Sequence, residues 1–227
     1  MVNRIDITLA EIKKNCKIAL APFVTVGYPD IETSIDIAES VILAGGDLLE
    51  LGIPFSDPLA EGITIQKSSF QALRNGVKVS TCLDMVRRLR SRGIEAPLLL
   101  MGYVNPIFHY GQAEFIRDSV EVGVDALIVP DLPTEEATEL RDMCEKHELW
   151  LVPLLAPTST DSHIMQACKR AKGFIYCQSF TGVTGARDHL GPKVRSLVTR
   201  IRRHTDLPVL VGFGVSQRVH VQEIGGF

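Results

Sequence analysis

Apolar runs of strand length alternate with segments of helical period along the whole chain. The apolar runs that predict strands cover residues 18–26, 47–53, 96–103, 126–130, 149–156, 173–179 and 207–214. The segments that predict helices fall near residues 31–44, 64–75, 79–92, 111–122, 134–147, 160–170, 192–204 and 216–224. Because the strand runs are continuously apolar instead of alternating, the pattern predicts parallel strands that are covered on both faces.

The number and order of these units predict a barrel. Seven βα units that recur roughly every 25–30 residues fit a (β/α)8 TIM barrel better than a doubly wound sheet. No GxGxxG follows the first strand, where PFVTVGYPD stands instead, so a dinucleotide site is not favoured. The sequence has no linker or composition shift, and we expect residues 1–227 to form a single domain. An eighth strand and helix are expected to be missing, so that this domain is C-terminally incomplete.

Composition narrows the class of protein without identifying it. The chain has 227 residues, is 45% hydrophobic, and carries a net charge of −3 with a pI near 6.1. This balance gives no electrostatic reason to expect nucleic acid or an anionic membrane as a partner. No apolar run approaches the ~20 residues that a transmembrane helix needs, and the N-terminus lacks a signal-peptide core. We therefore expect a cytoplasmic protein.

Cysteines and histidines show no metal-binding pattern. The five cysteines have no CxxC spacing and are interpreted as small buried hydrophobic residues; they are Cys16, Cys82, Cys144, Cys168 and Cys177. The six histidines form no HxH or HxxxH pair. Neither a disulfide framework nor a metal site is expected.

The segment LLELGIPFSDPLAEGITIQ, residues 48–66, carries the most informative acidic side chains. Glu50 lies late in the second predicted strand, and Asp57 and Glu61 lie on the loop that follows it. In a parallel barrel, chemistry takes place at the carboxyl ends of the strands. A buried carboxyl has a raised pKa, which suits a general acid or base near neutral pH. The alternative is structural: Glu50 forms an ion pair and Asp57 stabilises a turn or caps a helix.

Polar residues also follow the third and fourth predicted strands. The stretch MGYVNPI places Tyr103 and Asn105 at the end of the third strand. The stretch VPDLP places Asp131 at the end of the fourth strand, where a turn-stabilising role is an equal alternative.

Glycine-rich stretches follow the last two predicted strands. Tyr176 lies in the sixth strand and is followed by TGVTG, residues 181–185, which indicates either a loop that closes over a ligand or a simple turn. The stretch VGFGVS ends the seventh strand with Gly212 and Gly214 and starts a helix at Ser216. Backbone N–H groups beside a helix N-terminus form an anion site, and barrels often bind phosphate in this region.

Six segments together resemble the tryptophan synthase alpha chain family, in the family's order and over essentially the full length of the chain. They are APFVTVGYPD, LELGIPFSDPLAEGITIQ, MGYVNPI, VPDLP, GFIYCQSFTGVTGAR and VGFGVS. The resemblance implies a TIM barrel that cleaves indole-3-glycerol phosphate to indole and D-glyceraldehyde 3-phosphate by a retro-aldol reaction. It implies no cofactor and no metal. It also implies a pyridoxal-phosphate beta chain as partner, in an α2β2 assembly that passes indole through a tunnel.

The same resemblance assigns catalytic roles to two acids. Glu50 matches the family's proton carrier, which protonates C3 of the indole and takes a proton from the glycerol hydroxyl. Glu61 matches the second acid, which binds the indole N–H; the family has aspartate there, in ADGP, where this chain has AEGI. The extra methylene lengthens the side chain by ~1.5 Å, and Ile63 replaces the family's proline in the same loop. Thr184 matches the threonine that hydrogen-bonds the second acid when the loop closes.

The resemblance also implies a set of binding residues. Those expected to line the indole pocket, with barrel core as the plain alternative, are Phe23, Ile65, Met101, Ile128, Leu154 and Tyr176. Tyr103 and Asp131 would support the site. Gly185, Phe213 and Gly214 match phosphate-binding positions, whereas Phe180 receives no role.

One departure from the family leaves an alternative function open. Family members continue with an ADGxxVGSA-like stretch that supplies strand eight and half of the phosphate site, and this stretch does not occur in the sequence. The alternative is a truncated, catalytically weak subunit that mainly binds and activates the beta chain. A third hypothesis, another phosphate-binding barrel enzyme such as a phosphoribosyl isomerase, does not explain LELGIPFSDP.

Overall fold

A computed structural model describes residues 3–59, 61–179, 192–212 and 214–226. Each predicted strand run contains a strand, and the fifth run contains two short ones. The strands are β1 Phe23–Thr25, β2 Leu49–Gly52, β3 Leu98–Met101, β4 Ala126–Ile128, β5 Trp150–Val152, β6 Leu154–Leu155, β7 Ile175–Gln178 and β8 Val209–Gly212. The helices are α1 Arg4–Lys14, α2 Ile31–Leu43, α3 Ile63–Arg74, α4 Val79–Ser91, α5 Val104–Tyr110, α6 Gln112–Val122, α7 Thr138–Lys146, α8 Asp161–Lys169, α9 Pro192–Ile201 and α10 Arg218–Ile224.

All strand pairs are parallel and follow chain order, as the prediction of a βα barrel requires. The ladder runs from β1 to β5 and continues from β6 to β8. Pro153 separates β5 from β6, and its carbonyl accepts a hydrogen bond from the Tyr176 amide at 3.0 Å. Within the part of the chain that the structure describes, β1 and β8 do not pair with each other. A cleft of about 1270 Å³ is lined by residues of both strands.

All residues of β2, β3 and β4 are buried, because their successive side chains point to opposite faces of the sheet and both faces are covered, whereas the four residues of β8 are all half-buried. Leu49 and Leu51 of β2 belong to the apolar layer between strands and outer helices. Leu48 and Leu99 belong to a second cluster, inside the barrel. This arrangement confirms the prediction drawn from continuously apolar runs for β2, β3 and β4, but not for β8. It also places Glu50 on the inner side, because its side chain alternates with those of Leu49 and Leu51.

Glycines terminate four of the helices, α2, α3, α4 and α6. Gly45, Gly76, Gly93 and Gly123 all have positive φ, between 81° and 108°, directly after or one residue beyond the last helical turn. Glycine adopts this left-handed conformation at no steric cost.

The predicted helix start at residue 134 is wrong. The helix α7 begins at Thr138, and Ala137 precedes it as the N-cap residue. The Glu136 amide donates to the Pro133 carbonyl at 3.0 Å, which closes a turn before the helix begins.

Sequence analysis did not predict α1, which closes the end of the barrel opposite the carboxyl ends of the strands. Ile5 and Leu9 are buried in the inner cluster. Asn3 caps the helix by accepting from the Ile5 amide, and its Nδ2 donates to the carbonyls of Asp125 and Glu148, each at 2.9 Å.

Asn3→Ala is expected to lower the free energy of unfolding by about 1–2 kcal/mol, because it removes a helix cap and the two hydrogen bonds from Asn3 Nδ2 to the Asp125 and Glu148 carbonyls. Urea unfolding can be followed by the fluorescence of Trp150, the one tryptophan in the sequence, whose Nε1 donates to Asp6 of α1 at 3.2 Å. The matched control is Asn15→Ala at the exposed end of α1. Equal stability of the two variants would contradict the role given to Asn3.

The helix α5 was also missed, and it corrects the position of one candidate. Asn105 lies in α5, not at the end of the third strand, which stops at Met101. Pro106 lies in the first turn of α5, where a helix tolerates proline because the N–H groups there have no intrahelical partner.

Candidate active site

Glu50 lies inside the barrel in the middle of β2. It is 4% exposed, and its register neighbours are Phe23 of β1 and Leu99 of β3. The Tyr176 hydroxyl of β7 donates to Glu50 Oε2 at 3.3 Å. No salt bridge within the described residues includes Glu50, so the structural ion pair considered from sequence is not observed there.

The environment of Glu50 favours the neutral carboxylic acid. Burial raises the pKa of Glu50 to about 8, and the hydrogen bond from Tyr176 opposes part of that rise. The carboxyl group therefore carries a proton at neutral pH and can release it just above neutral pH. That is the range in which a general acid is effective.

Tyr176 occupies space that a glycine leaves open. Burial, followed by the proximity of Glu50, raises the pKa of Tyr176 well above its ordinary value, so the hydroxyl remains a donor. A Cβ on Gly212 of β8 would lie 1.9 Å from the Tyr176 hydroxyl oxygen. Only glycine at this position lets the Tyr176 ring reach Glu50.

Glu61 lines the same cleft as Glu50 and is held by Tyr103. The Tyr103 hydroxyl donates to Glu61 Oε2, and the Gln66 side chain donates to the Glu61 carbonyl at 3.0 Å. Tyr103 is buried, and its ring centroid lies 5.2 Å from that of Phe55. Two carboxyl groups that are 11 positions apart in sequence thus line one cleft.

Asp131 supports this arrangement through the backbone. Its Oδ1 accepts from the Val104 amide at 3.0 Å, directly after Tyr103. The carboxylate thereby joins the end of β4 to the start of α5. Asp57, in contrast, accepts a hydrogen bond from the adjacent Ser56 hydroxyl at 2.5 Å and lies on the exposed part of the loop.

Four of the six residues predicted for the indole pocket line the cleft, namely Phe23, Ile65, Met101 and Tyr176. The other two, Ile128 and Leu154, lie in the same apolar cluster as Met101 and Tyr176 but not on the cleft wall. The Phe23 ring lies against β2, where a Cβ on Gly52 would come within 2.3 Å of its Cζ.

The predicted phosphate region is described only in part. Gly214, with φ of +73°, lines the cleft together with Ser216. Thr184, Gly185 and Phe213 lie outside the described residues.

The Ser216 amide was predicted to be a bare donor at a helix start, and this prediction is wrong. The amide donates to Nδ1 of His220 at 3.2 Å, and α10 begins only at Arg218. His220 lies in the first turn of α10 and is buried, and its ring accepts the amide hydrogen of Ser216, which precedes the helix. Sequence analysis had not singled out His220, because a lone histidine on a short helix carries no distinctive spacing.

The cysteine prediction is correct for four residues and wrong for one. Cys82, Cys144, Cys168 and Cys177 are buried, whereas Cys16 is exposed in the turn after α1. Burial raises the pKa of Cys144 and of Cys177 to about 12, so these thiols are not nucleophiles at neutral pH. Among the described residues, no group of three potential metal ligands comes together.

Comparison with known proteins agrees with the motifs. The sequence profile of the tryptophan synthase alpha chain family matches residues 9–226. The tryptophan synthase alpha chain of Chloroflexus aggregans is 47% identical over 98% of this chain and 84% of its own length. That of Roseiflexus castenholzii is 46% identical over 99% of this chain and 86% of its own length.

Solved structures show the same similarity. A structure from Aquifex aeolicus superposes with a TM-score of 0.91 at 43% identity, over 99% of this chain and 86% of that one. A chain of the tryptophan synthase α2β2 complex from Pyrococcus furiosus gives a TM-score of 0.85 at 36% identity, over 92% of this chain and 83% of that one. In the part of this chain that is described, none of the helices has the length and apolar character needed to span a membrane.

Proposed function

Because the chain belongs to the tryptophan synthase alpha chain family, we propose that Glu50 and Glu61 carry out the proton chemistry of its reaction. The chain is an alpha subunit that cleaves indole-3-glycerol phosphate to indole and D-glyceraldehyde 3-phosphate in L-tryptophan biosynthesis. It is a carbon–carbon lyase that assembles with the tryptophan synthase beta chain as an α2β2 complex. The main support for the proposal is a buried, protonated carboxyl on the wall of a cleft that a second carboxyl also lines.

Glu50 acts first as an acid and then as a base. Its proton moves to C3 of the indole, which converts the ring to an indolenine with positive charge at nitrogen. The resulting Glu50 carboxylate accepts the proton of the glycerol hydroxyl. The bond between C3 and the glycerol carbon then breaks, its electron pair returns to the ring, and the hydroxyl carbon becomes the aldehyde. The proton count of Glu50 is restored at the end of the cycle.

Glu61 stabilises the charge that develops on the ring. Its carboxylate accepts a hydrogen bond from the indole N–H, which becomes more acidic once C3 is protonated, so this interaction strengthens in the transition state. The hydrogen bond from Tyr103 limits the movement of the long Glu61 side chain. Asp131 holds the backbone next to Tyr103. Thr184 is proposed to contact Glu61 when substrate is bound.

The apolar wall of the cleft is proposed to hold the indole ring. Phe23, Ile65, Met101 and Tyr176 form this wall, and Ile128 and Leu154 support it from the core. The phosphate is assigned to Gly185, Phe213 and Gly214. We also propose that the chain forms one barrel domain and that it works in the cytoplasm.

The pH dependence of cleavage tests the assignment of Glu50. With Glu50 as proton donor, the single-turnover rate of indole-3-glycerol phosphate cleavage should fall as the pH rises through about 8. Tyr176→Phe removes the hydrogen bond that lowers the pKa of Glu50, so the falling limb should move to higher pH. Tyr110→Phe is the matched control, because its hydroxyl contacts Asp118 on the outer helices at 2.7 Å.

Measurements with and without the beta chain separate the two functions considered from sequence. The role of Glu50 would be contradicted if the wild-type rate falls through about pH 8 and the rate of Tyr176→Phe falls at the same pH. A chain that activates the beta chain but shows no cleavage under either condition would support the weak-subunit alternative.

A further inference from the structure

Two buried hydroxyl groups connect β1, the neighbour of the strand that carries Glu50, to α3. Thr25 Oγ1 lies 2.8 Å from Ser68 Oγ, and the Ser68 hydroxyl donates to the Ile65 carbonyl at 2.9 Å. Because the Ser68 hydrogen is used by Ile65, the Thr25 hydroxyl is the donor to Ser68. Both side chains are less than a tenth exposed, at 7% and 6%.

The position of Thr25 relative to Glu50 is fixed by the pairing of β1 with β2. Thr25 is the last residue of β1, and its register partner in β2 is Gly52, two residues after Glu50. The Val26 amide, next to Thr25, donates to the Gly52 carbonyl at 3.1 Å and extends this ladder beyond the strand. The position of the Thr25 hydroxyl therefore follows the position of the strand that carries Glu50.

The position of Ser68 is connected to that of Glu61 by hydrogen bonds at the start of α3. Ser68 lies in the second turn of α3, and its hydroxyl binds the Ile65 carbonyl of the first turn. The Gln66 side chain, also in the first turn, donates to the Glu61 carbonyl at 3.0 Å. Glu61 therefore moves with the start of α3.

Apolar packing does little to fix the start of α3. Its buried residues are Ser68, Ser69 and Ala72, whereas α4 buries five larger side chains. Gly62 precedes α3 without a side-chain cap, and Ile63 in the first turn is exposed. A helix with so little buried apolar surface depends on directional hydrogen bonds for its placement.

We propose that Thr25 and Ser68 are positioning residues that set the distance between the Glu50 and Glu61 carboxyl groups. The inference rests on the proposed function, because it assigns the pair an effect on catalysis through Glu61. The hydroxyl pair links β1 to α3, so it ties the strand that holds the proton donor to the helix whose start holds the second acid.

A double-mutant cycle in single-turnover cleavage of indole-3-glycerol phosphate tests this proposal. Thr25→Val keeps the shape of the side chain and removes the hydroxyl; it should lower the rate roughly 10- to 100-fold, because misplacing a catalytic group by about 1 Å has effects of this size. Thr25→Ser restores the hydroxyl and should restore most of the rate. In a Glu61→Gln background, Thr25→Val should cause little further loss, since the group it positions is already disabled.

Control variants separate this effect from general destabilisation. Ser68→Ala should behave like Thr25→Val in the same cycle. Ser119→Ala is its matched control, because Ser119 is fully buried in α6 and its hydroxyl has no hydrogen-bond partner among the described residues. It should retain the wild-type rate. Thermal unfolding followed by circular dichroism checks that each variant folds.

Several outcomes would overturn the inference. The first is that Thr25→Val lowers the cleavage rate by the same factor in the Glu61→Gln background as in the wild type. The second is that neither Thr25→Val nor Ser68→Ala lowers the cleavage rate. Failure of both variants to unfold cooperatively would make the pair a determinant of folding and would also refute the proposal. If Glu61→Gln alone cleaves as fast as the wild type, the proposed function of Glu61 fails instead.

Discussion

Glu50→Gln is expected to lower the single-turnover rate of indole-3-glycerol phosphate cleavage by roughly 100- to 10,000-fold, the usual contribution of a general acid or base. Glutamine has the same shape as a protonated glutamate but cannot release a proton to C3 of the indole. It also cannot accept the proton of the glycerol hydroxyl. Both halves of the proton cycle are therefore lost, while the apolar wall of the cleft is unchanged.

The same substitution should stabilise the protein at alkaline pH. The folded-state pKa of Glu50 is about 8, raised from its ordinary value of 4.5 by burial. Between these two values the unfolded chain releases a proton that the folded chain keeps, so folding stability falls as the pH rises through this window. Glu50→Gln has no ionisable group at this position, so its folding stability does not fall in this window. Its advantage should be absent below pH 4.5 and should reach a few kcal/mol above pH 8, since each pKa unit corresponds to about 1.4 kcal/mol.

Two measurements on one variant make this prediction stringent. Rapid-quench assays give the cleavage rate, and urea unfolding at pH 5, 7 and 9 gives the stability difference. Glu121→Gln, at an exposed position of α6, serves as the matched control and should change neither quantity. A Glu50→Gln protein with a near-normal rate would show that another group donates the proton. An unchanged pH dependence of stability would show that Glu50 is not protonated when folded.

Gly212→Ala is expected to lower the cleavage rate by about 100-fold, through displacement of Tyr176. The added Cβ would lie 1.9 Å from the Tyr176 hydroxyl oxygen and 2.4 Å from its Cζ. These distances are far inside van der Waals contact, and Tyr176 is buried, so the ring has to move as a whole. The hydrogen bond to Glu50, 3.3 Å long in the wild type, is then lost. Overpacking of this kind should also reduce stability by about 1–3 kcal/mol.

The cause of the Gly212→Ala effect can be isolated. Gly212 lies in β8, where the backbone is extended, so backbone strain does not contribute. Gly226→Ala is the matched control, because the nearest atom to its added Cβ would be a carbonyl oxygen at 3.4 Å, an ordinary contact. The rate and the melting temperature of both variants are compared with the wild type. Full activity in Gly212→Ala would mean that the position of Tyr176 does not matter for Glu50.

Particular residues show why some elements could be predicted and others could not. Glu50 was identified because it is a carboxylate within an apolar strand run, which burial makes costly unless it has a function or a partner. The helix α1 was overlooked although Asn3, Ile5 and Leu9 carry a cap and the spacing of one buried helix face. Its many charged residues dominated the pattern. The helix α5 was overlooked because Asn105 and Pro106 resemble a loop.

Local residue type was enough to predict the order of strands and helices, the burial of β2, β3 and β4 on both faces and the candidate acids, because periodicity and burial cost depend on it. Folding in three dimensions selects which groups meet: Tyr176 contacts Glu50, 126 positions away, and Tyr103 contacts Glu61, 42 positions away. It also decided that Gly212 makes room for Tyr176 and that Thr25 binds Ser68. Such contacts depend on strand register and on the direction of individual side chains. A shift of one residue in register would send each of these strand side chains to the opposite face.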